Sequence, residues 1–247
     1  MSLQLIHQRK PLIHCITNTV VTNFTANGLL AIGASPIMAD AIEEMPEMIS
    51  LADGLLINIG TLNNRTVTSM KVAIERANAK GIPVVLDPVG AGATKYRLDT
   101  TLDFLTNTKI SLLRCNAGEL AAIAGVNWQA NGVDSGHGEA DIEQLAKEVA
   151  NRFSCIVIVT GAKDILTDGT KLEHIAGGHE KVTRITGTGC LLSAICAALL
   201  ASSSEPLPDL KALLIEYKQA AEQALAPLGT YQIQLLNELE HLAEVSR

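Results

Sequence analysis

A short segment near residue 190 combines threonines, glycines and a cysteine directly before a long apolar stretch. It reads Thr186-Gly187-Thr188-Gly189-Cys190, and residues 191–201 are almost wholly apolar, which predicts a buried helix that begins here. The first turn of a helix offers unpaired N–H groups and the positive end of the dipole, which bind anions. A thiol in that turn is expected to be more acidic than a free cysteine. The segment suits a phosphate cradle beside a reactive Cys190, or else a turn before a core helix with an inert thiol.

Two carboxylates stand where a strand is predicted to end and where a helix is predicted to begin. Asp87 follows the apolar residues 84–86 and opens a glycine-rich turn, and Glu119 lies in the first turn of a predicted helix over 117–124. Mg²⁺ prefers one or two carboxylates together with substrate phosphates, so the pair predicts a magnesium site. Taken singly, Asp87 would also satisfy a turn, and Glu119 would also compensate a helix dipole.

Further polar side chains follow other predicted strands. Asn18 comes after the first strand, Arg114 and Asn116 after the fourth, and Thr160 after the fifth. Ligands of α/β sheets bind beyond the C-terminal ends of the strands, so we expect these residues to meet at one edge. Arg114 needs a partner at the end of a buried strand, and a phosphate is a good one. Met38 either fills the core or offers a flexible thioether to a small, flat, sulfur-containing ring.

Composition bounds the class of protein. The chain has 247 residues, 47% of them hydrophobic, and a net charge of −7, which argues against a nucleic-acid surface. No window approaches the roughly 18 apolar residues of a membrane-spanning helix. The five cysteines include no CxxC pair, so we expect a reducing, cytoplasmic compartment. The Walker, GxGxxG and GxSxG motifs are absent.

Apolar runs alternate with helical stretches, which predicts the α/β class: a doubly wound, mostly parallel sheet with helices on both faces. The predicted strands are 12–16, 55–59, 83–86, 111–114 and 155–160, and 164–167 with 171–176 forms a hairpin at the sheet edge. Besides the helix after Gly187, helices are predicted at 22–32, 46–52, 66–80, 98–107, 117–124, 141–153, 210–226 and 231–243. Stretches 127–139 and 202–209 could be linkers. Because candidate site residues lie on both sides of the first, we expect a single domain over 1–247.

Several longer motifs occur in a fixed order along the chain. They are His14-Cys15-Ile16-Thr17-Asn18, Gly33-Ala34-Ser35-Pro36-Ile37-Met38-Ala39, Asp87-Pro88-Val89-Gly90-Ala91-Gly92, Arg114-Cys115-Asn116-Ala117-Gly118-Glu119, Gly132-Val133-Asp134-Ser135, Val159-Thr160-Gly161 and Thr186-Gly187-Thr188-Gly189-Cys190. Together they resemble the hydroxyethylthiazole kinases, from about residue 11 to about residue 200.

That resemblance implies a ribokinase-like fold and ATP-dependent phosphorylation of the hydroxyl of 4-methyl-5-(2-hydroxyethyl)thiazole, a step of thiamine biosynthesis and salvage. It also implies a homotrimer whose active sites lie between subunits, with small molecules as the only other partners. By motif, Met38, Gly187 and Asn18 would contact the thiazole alcohol. Arg114, Thr160 and Asn116 would contact ATP, and Asp87 and Glu119 would lie by Mg²⁺ and the phosphates.

Cys190 would be the base for the substrate hydroxyl. Most of the wider ribokinase-like group has an aspartate at this position. A cysteine here departs from that pattern and resembles the thiazole-kinase branch. Two alternatives are left open, of which the first keeps the fold and changes the chemistry. One is another ribokinase-like ATP-using enzyme, such as a vitamin-precursor kinase or a nucleotide-hydrate dehydratase. The other is a non-catalytic thiazole-binding protein.

Overall fold

One eight-stranded sheet organises the computed structural model, which describes residues 2–126 and 138–244. Its strands are β1 (Leu12–Ile16), β2 (Ser35–Ile37), β3 (Gly54–Asn58), β4 (Val84–Asp87), β5 (Leu112–Asn116), β6 (Ile156–Thr160), β7 (Asp164–Thr167) and β8 (Leu172–Ile175). Their spatial order is β2-β1-β3-β4-β5-β6-β7-β8. The first six run parallel, and β7 and β8 add an antiparallel hairpin, as the sequence predicts.

The helices cover both faces of this sheet. They are α1 (Ser2–Arg9), α2 (Thr22–Ala31), α3 (Met45–Leu51), α4 (Asn64–Lys80), α5 (Lys95–Asn107), α6 (Ala117–Ala124), α7 (Gly138–Phe153), α8 (Thr188–Ser202), α9 (Pro206–Gln223) and α10 (Leu228–Glu244). Helices α1, α2, α8, α9 and α10 share one apolar layer with the sheet, and α3 to α7 share the other. The strands are buried on both sides because successive side chains point to opposite faces: Val85 enters the first layer, and Val84 and Leu86 enter the second.

The parallel register aligns the polar strand ends. Asn58 at the end of β3 is paired with Asp87 at the end of β4, and Asn116 of β5 is paired with Thr160 of β6. The polar side chains therefore meet at one edge, opposite the first turn of α8. This edge is where an open α/β sheet binds its ligands.

Two elements are absent from the sequence-based prediction. Helix α1 buries Leu3 and Ile6, and its first amides donate to the Glu216 carboxylate at 3.1 and 2.8 Å, a partner more than two hundred residues away. Strand β2 contains Pro36, which an edge strand tolerates because one side of it forms no ladder. Helix α7 also begins at Gly138, earlier than the predicted residue 141.

Part of the sequence analysis falls outside the described residues. The motif Gly132-Val133-Asp134-Ser135 lies there, as does all but the end of the 127–139 stretch. The extent of the single domain over 1–247 stays a prediction. Among the helices that the structure describes, none is both long enough and apolar enough to cross a membrane.

Candidate active site

The first turn of α8 lies at the centre of the polar edge. Gly187 precedes it with a φ of +97°, and a Cβ there would approach Val21 Cγ1 to 2.7 Å, so the position favours glycine on two counts. A Cβ on Gly189 would lie 2.6 Å from Arg114 Nη1. The two glycines therefore bring the start of α8 close to α2 on one side and to Arg114 on the other. The amides of this first turn lack acceptors within the helix, which suits an anion.

Cys190 is linked to the sheet edge through Asn18. The Asn18 Nδ2 amide lies 3.6 Å from Cys190 Sγ and donates to Asn58 Oδ1 at 2.9 Å. Cys190 is partly exposed, whereas Cys15, Cys115, Cys155 and Cys196 are buried. Among the five thiols, Cys190 alone combines access from solvent with a place at the polar edge.

The expected acidity of Cys190 is wrong. Burial and the nearby Asp87 carboxylate raise the pKa of the thiol to about 11, although hydrogen bonds from Asn58 and Asn18 and the charge of Arg114 oppose this rise. The helix dipole alone would favour the thiolate, but its effect is small beside the desolvation of a largely buried sulfur. Cys190 is therefore a protonated thiol at neutral pH.

Asp87 is fully buried at the end of β4 and is held on one side. Its Oδ2 accepts hydrogen bonds from Asn58 Nδ2 at 2.8 Å and from Ser193 Oγ at 2.9 Å. Its Oδ1 has no hydrogen-bond partner among the described residues and lies 3.8 Å from Arg114 Nη1. Burial raises the pKa of Asp87 to about 6, against the lowering effect of Arg114 and of its two donors. The carboxylate is therefore ionised at neutral pH, with one oxygen facing a cation.

Glu119 has different surroundings. One of its oxygens accepts the Gly90 amide at 2.8 Å, and the other accepts the Asn116 amide at 2.9 Å. The Asn116 side chain in turn accepts the Glu119 amide at 2.8 Å, which completes a capping box at the start of α6. Glu119 thus fixes the turn after Asp87 to the helix after β5.

Arg114 and Thr160 are in direct contact, with Arg114 Nη2 donating to Thr160 Oγ1 at 2.5 Å. Beside them lies a cavity of about 690 Å³, within the usual range for ligand pockets. Its lining includes Arg114, Asn116, Thr160 and Gly189, together with Leu192 and Tyr217. The three residues predicted to contact ATP therefore share one cavity, which is large enough for a nucleotide.

Met38 lies at the end of the edge strand β2 and is partly buried against the layer that contains α8. The segment after it is held from two sides. The His14 ring bonds the Ala39 carbonyl oxygen through Nε2 at 2.9 Å, and Arg65 donates to both carboxylate oxygens of Asp40 at 3.0 and 2.8 Å. A flexible thioether is thus carried on a fixed backbone.

The structure joins most of the predicted residues into one connected region. Through Asn58, a continuous set of contacts joins Asn18, Cys190, Asp87, Arg114 and Thr160. Gly187 lies at the start of the same helix, and Asn116 and Glu119 brace the region from α6. Met38 lies further out, at the sheet edge.

Sequence reasoning missed two residues of this set. Asn58 was placed inside an apolar strand over 55–59, and Ser193 was passed over in the apolar stretch 191–201. Each was detectable as a polar residue that interrupts an otherwise buried run. A buried polar side chain requires a partner, and here both residues share Asp87.

The residues present fit an Mg²⁺ ion that is held chiefly by substrate phosphates and water. Asp87 offers a buried carboxylate oxygen without a hydrogen bond from the described residues, which is the chemistry that this hard cation requires. In the part of the chain that the structure describes, no three His, Cys, Asp or Glu side chains form a cage for a metal. A site of this kind depends on the nucleotide for its remaining ligands.

The fold and the polar edge define a class of protein. A ribokinase-like superfamily protein from Enterococcus faecalis superimposes with a TM-score of 0.67 at 11% identity, covering 99% of this chain and 96% of the other, so the fold is ribokinase-like. The hydroxyethylthiazole kinase of Pyrococcus horikoshii matches with a TM-score of 0.87 at 42% identity, over 98% of this chain and 92% of that one. The hydroxyethylthiazole kinase of Lysinibacillus sphaericus is 55% identical over 99% of this chain and 97% of its own length. The family model of the hydroxyethylthiazole kinases matches residues 3–245, and the chain belongs to that family.

Proposed function

We propose that this protein transfers the γ-phosphoryl group of ATP to the hydroxyl of 4-methyl-5-(2-hydroxyethyl)thiazole. The observation that carries the proposal is the contact between Arg114 and Asp87, at the point where the 690 Å³ cavity meets the first turn of α8. The bond between the γ-phosphorus and the oxygen that bridges it to the β-phosphate breaks, and the alcohol oxygen forms the new bond. The products are ADP, the phosphate ester and the proton of the hydroxyl.

The two substrates would bind on opposite sides of the first turn of α8. ATP would lie in the cavity, with Arg114, Thr160 and Asn116 beside its phosphates. The thiazole alcohol would lie on the opposite side of α8, against Gly187 and Asn18, with Met38 at the ring. The amides of the α8 first turn would then face the phosphoryl group in transit, and their fixed dipoles stabilise its charge without reorganisation.

Asp87, with Glu119 beside it, would hold Mg²⁺ through water and the phosphates. When bound, this ion neutralises the charge of the transferring phosphoryl group. Arg114 supports the same role from the protein, since its guanidinium faces the Asp87 oxygen that accepts no hydrogen bond from the described residues. Phosphoryl transfer has a loose transition state, so positioning and charge stabilisation carry most of the acceleration.

Cys190 would take the proton of the substrate hydroxyl. Its raised pKa, about 11, makes the thiolate rare at neutral pH but strongly basic when formed. The Asn18 amide, 3.6 Å from Sγ, would stabilise the thiolate. A loose transition state makes modest demands on a base, which is compatible with a thiol in this role.

The same proposal includes the assembly and its compartment. Val20, two residues after Asn18, is 69% exposed, and Leu30 of α2 is 58% exposed; Met38 directly follows the edge strand β2. Three copies that meet at this side would cover these apolar groups and close the thiazole site. The five free cysteines fit the cytoplasm. We expect sedimentation equilibrium to give a mass of three protomers. A monomer under all conditions would contradict a site shared between subunits.

A substrate panel tests the reaction. The purified protein is incubated with MgATP and, separately, with the thiazole alcohol, pyridoxal, pyridoxine and hydrated NADH, and mass spectrometry identifies the products. We expect one phosphate to be added to the thiazole alcohol, with a kcat/KM well above that for the vitamin alcohols. Faster phosphorylation of a pyridoxal-type alcohol, or dehydration of the nucleotide hydrate, would support another ribokinase-like enzyme. Binding of the thiazole alcohol without turnover of any compound would support a non-catalytic binding protein.

A further inference from the structure

Asn58 lies between Asn18 and Asp87 in the hydrogen-bond network at the polar edge. It ends β3, whose neighbours are β1, which precedes Asn18, and β4, which ends at Asp87. Its side chain is 1% exposed and bonds both of these residues. A buried amide is costly without partners, and here Asn58 Oδ1 accepts two hydrogen bonds while Nδ2 donates one to Asp87.

The orientation of this amide is fixed by its donors. Asn58 Oδ1 accepts from Asn18 Nδ2 at 2.9 Å and from the Gly60 backbone amide at 2.9 Å. A flipped amide would place its NH₂ group against two donors. Asn58 Nδ2 must therefore face Asp87 Oδ2, to which it donates at 2.8 Å.

This orientation has a consequence for each neighbour. Asp87 receives both of its donors, Asn58 and Ser193, on Oδ2, so Oδ1 is turned toward Arg114. Asn18 uses one N–H on Asn58, and its oxygen accepts the Val20 amide at 3.2 Å, which leaves its other N–H toward Cys190. Asn58 therefore sets the direction of the carboxylate and of the amide at once.

We propose that Asn58 is a positioning residue for phosphoryl transfer, which holds the Asp87 carboxylate and the Asn18 amide in register with each other, with Ser193 as the second donor to Asp87. The inference rests on the proposed function and deepens it. Because Asn58 is almost fully buried and bonds both Asn18 and Asp87, we expect it to act through these two neighbours. Misplaced groups at a reacting centre slow the chemical step more than they weaken binding.

Two variants with one control test this role. Asn58→Ala removes the bridge, and Ser193→Ala removes the other donor to Asp87 Oδ2. Ser69→Ala is the matched control, because Ser69 is also a buried helical serine whose hydroxyl bonds the carbonyl four residues earlier. For each protein we would measure kcat, KM for both substrates, calorimetric dissociation constants of ATP and of the thiazole alcohol, and the melting temperature.

Asn58→Ala is expected to lower kcat by about 10- to 100-fold, as residues behind a reactive centre commonly do, while KM and the two dissociation constants change by less than about threefold. Ser193→Ala is expected to lower kcat by about tenfold, and Ser69→Ala by less than about twofold. A folded Asn58→Ala variant with wild-type kcat, or a loss in KM alone, would overturn the inference. If Asn58→Ala does not fold, a wild-type kcat in Ser193→Ala overturns it.

The wild-type protein separates this inference from the proposed function. If the wild type phosphorylates no thiazole alcohol, the proposed function fails and the positioning role fails with it. If the wild type is active and the Asn58 and Ser193 variants match Ser69→Ala, only the positioning role fails.

Discussion

The two carboxylates at the polar edge differ in what holds them. Asp87 is oriented by two side chains on one oxygen, and its other oxygen lacks a hydrogen bond from the described residues. Glu119 has each oxygen on a backbone amide, one from the Gly90 turn and one from the start of α6. One oxygen of Asp87 therefore accepts no hydrogen bond from the described residues, whereas both oxygens of Glu119 accept hydrogen bonds from the backbone.

We expect this difference to separate a carboxylate that acts in the reaction from a carboxylate that also stabilises the fold. An unsatisfied buried carboxylate is destabilising, and proteins keep such groups where function needs them. A capping-box glutamate stabilises its helix whether or not a ligand is present. Glu119 retains lone pairs for a second partner, so it can do both, but its loss should damage the fold as well as the reaction.

The largest expected effect is the loss of the Asp87 charge. Asp87→Asn preserves the shape but leaves Arg114 without its anion, and we expect kcat to fall by about 10²- to 10³-fold. Steady-state kinetics measures this, with Asp103→Asn on the exposed face of α5 as the control. A kcat close to the wild-type value would contradict the different roles assigned to Asp87 and Glu119.

The pH dependence of stability should show the strain at Asp87 directly. The pKa of Asp87 is raised in the folded state from 3.8 to about 6, so the folded protein binds a proton more tightly than the unfolded chain does. The wild type should therefore gain stability relative to Asp87→Asn as the pH falls from about 6 toward about 4, by about 2 to 3 kcal/mol. Urea unfolding of both proteins across that range measures the difference. A constant difference would mean that Asp87 is not strained.

Cys190→Ala tests whether the network around Asp87 extends to a base. We expect kcat to fall by about 10²-fold and some product to remain, because base catalysis contributes modestly to a loose transition state. Cys196→Ala, a buried cysteine in the same helix, is the control. Wild-type turnover in Cys190→Ala would refute the base role.

Glu119→Ala should have the smallest effect on activity and a clear effect on stability. It removes both backbone hydrogen bonds, and we expect a loss of about 1 to 2 kcal/mol in the free energy of unfolding and about tenfold in kcat. Thr66→Ala breaks the corresponding capping box of α4 and should cost stability without activity. Unchanged stability in Glu119→Ala would contradict its structural role.

The sequence predicted the fold class and most element positions, because alternating apolar runs are strong local signals. The strand over residues 12–16 and the helix over 117–124 have the predicted bounds, and Gly81 ends α4 in the left-handed region as a C-terminal glycine should. Helix α1 was missed because distant partners stabilise it, among them Glu216. Long-range contacts of this kind have no local signature.

The sequence predicted that several polar residues would lie at one edge of the sheet, but not the contacts that connect them. The spacing of strand ends brought Asp87, Arg114 and Thr160 to one edge, yet it said nothing of Asn58, which bridges Asp87 to Asn18. The acidity of Cys190 was predicted with the wrong sign, because burial depends on the whole fold and outweighs the helix dipole.

The most direct test of the proposed chemistry is the fate of the γ-phosphate. The wild-type protein would be given ATP with ¹⁸O in the γ-phosphoryl group, Mg²⁺ and the thiazole alcohol, and the products would be analysed by mass spectrometry. The account predicts a thiazole phosphate ester that carries the labelled phosphoryl oxygens, formed in step with ADP. Labelled inorganic phosphate with an unchanged thiazole alcohol would contradict it.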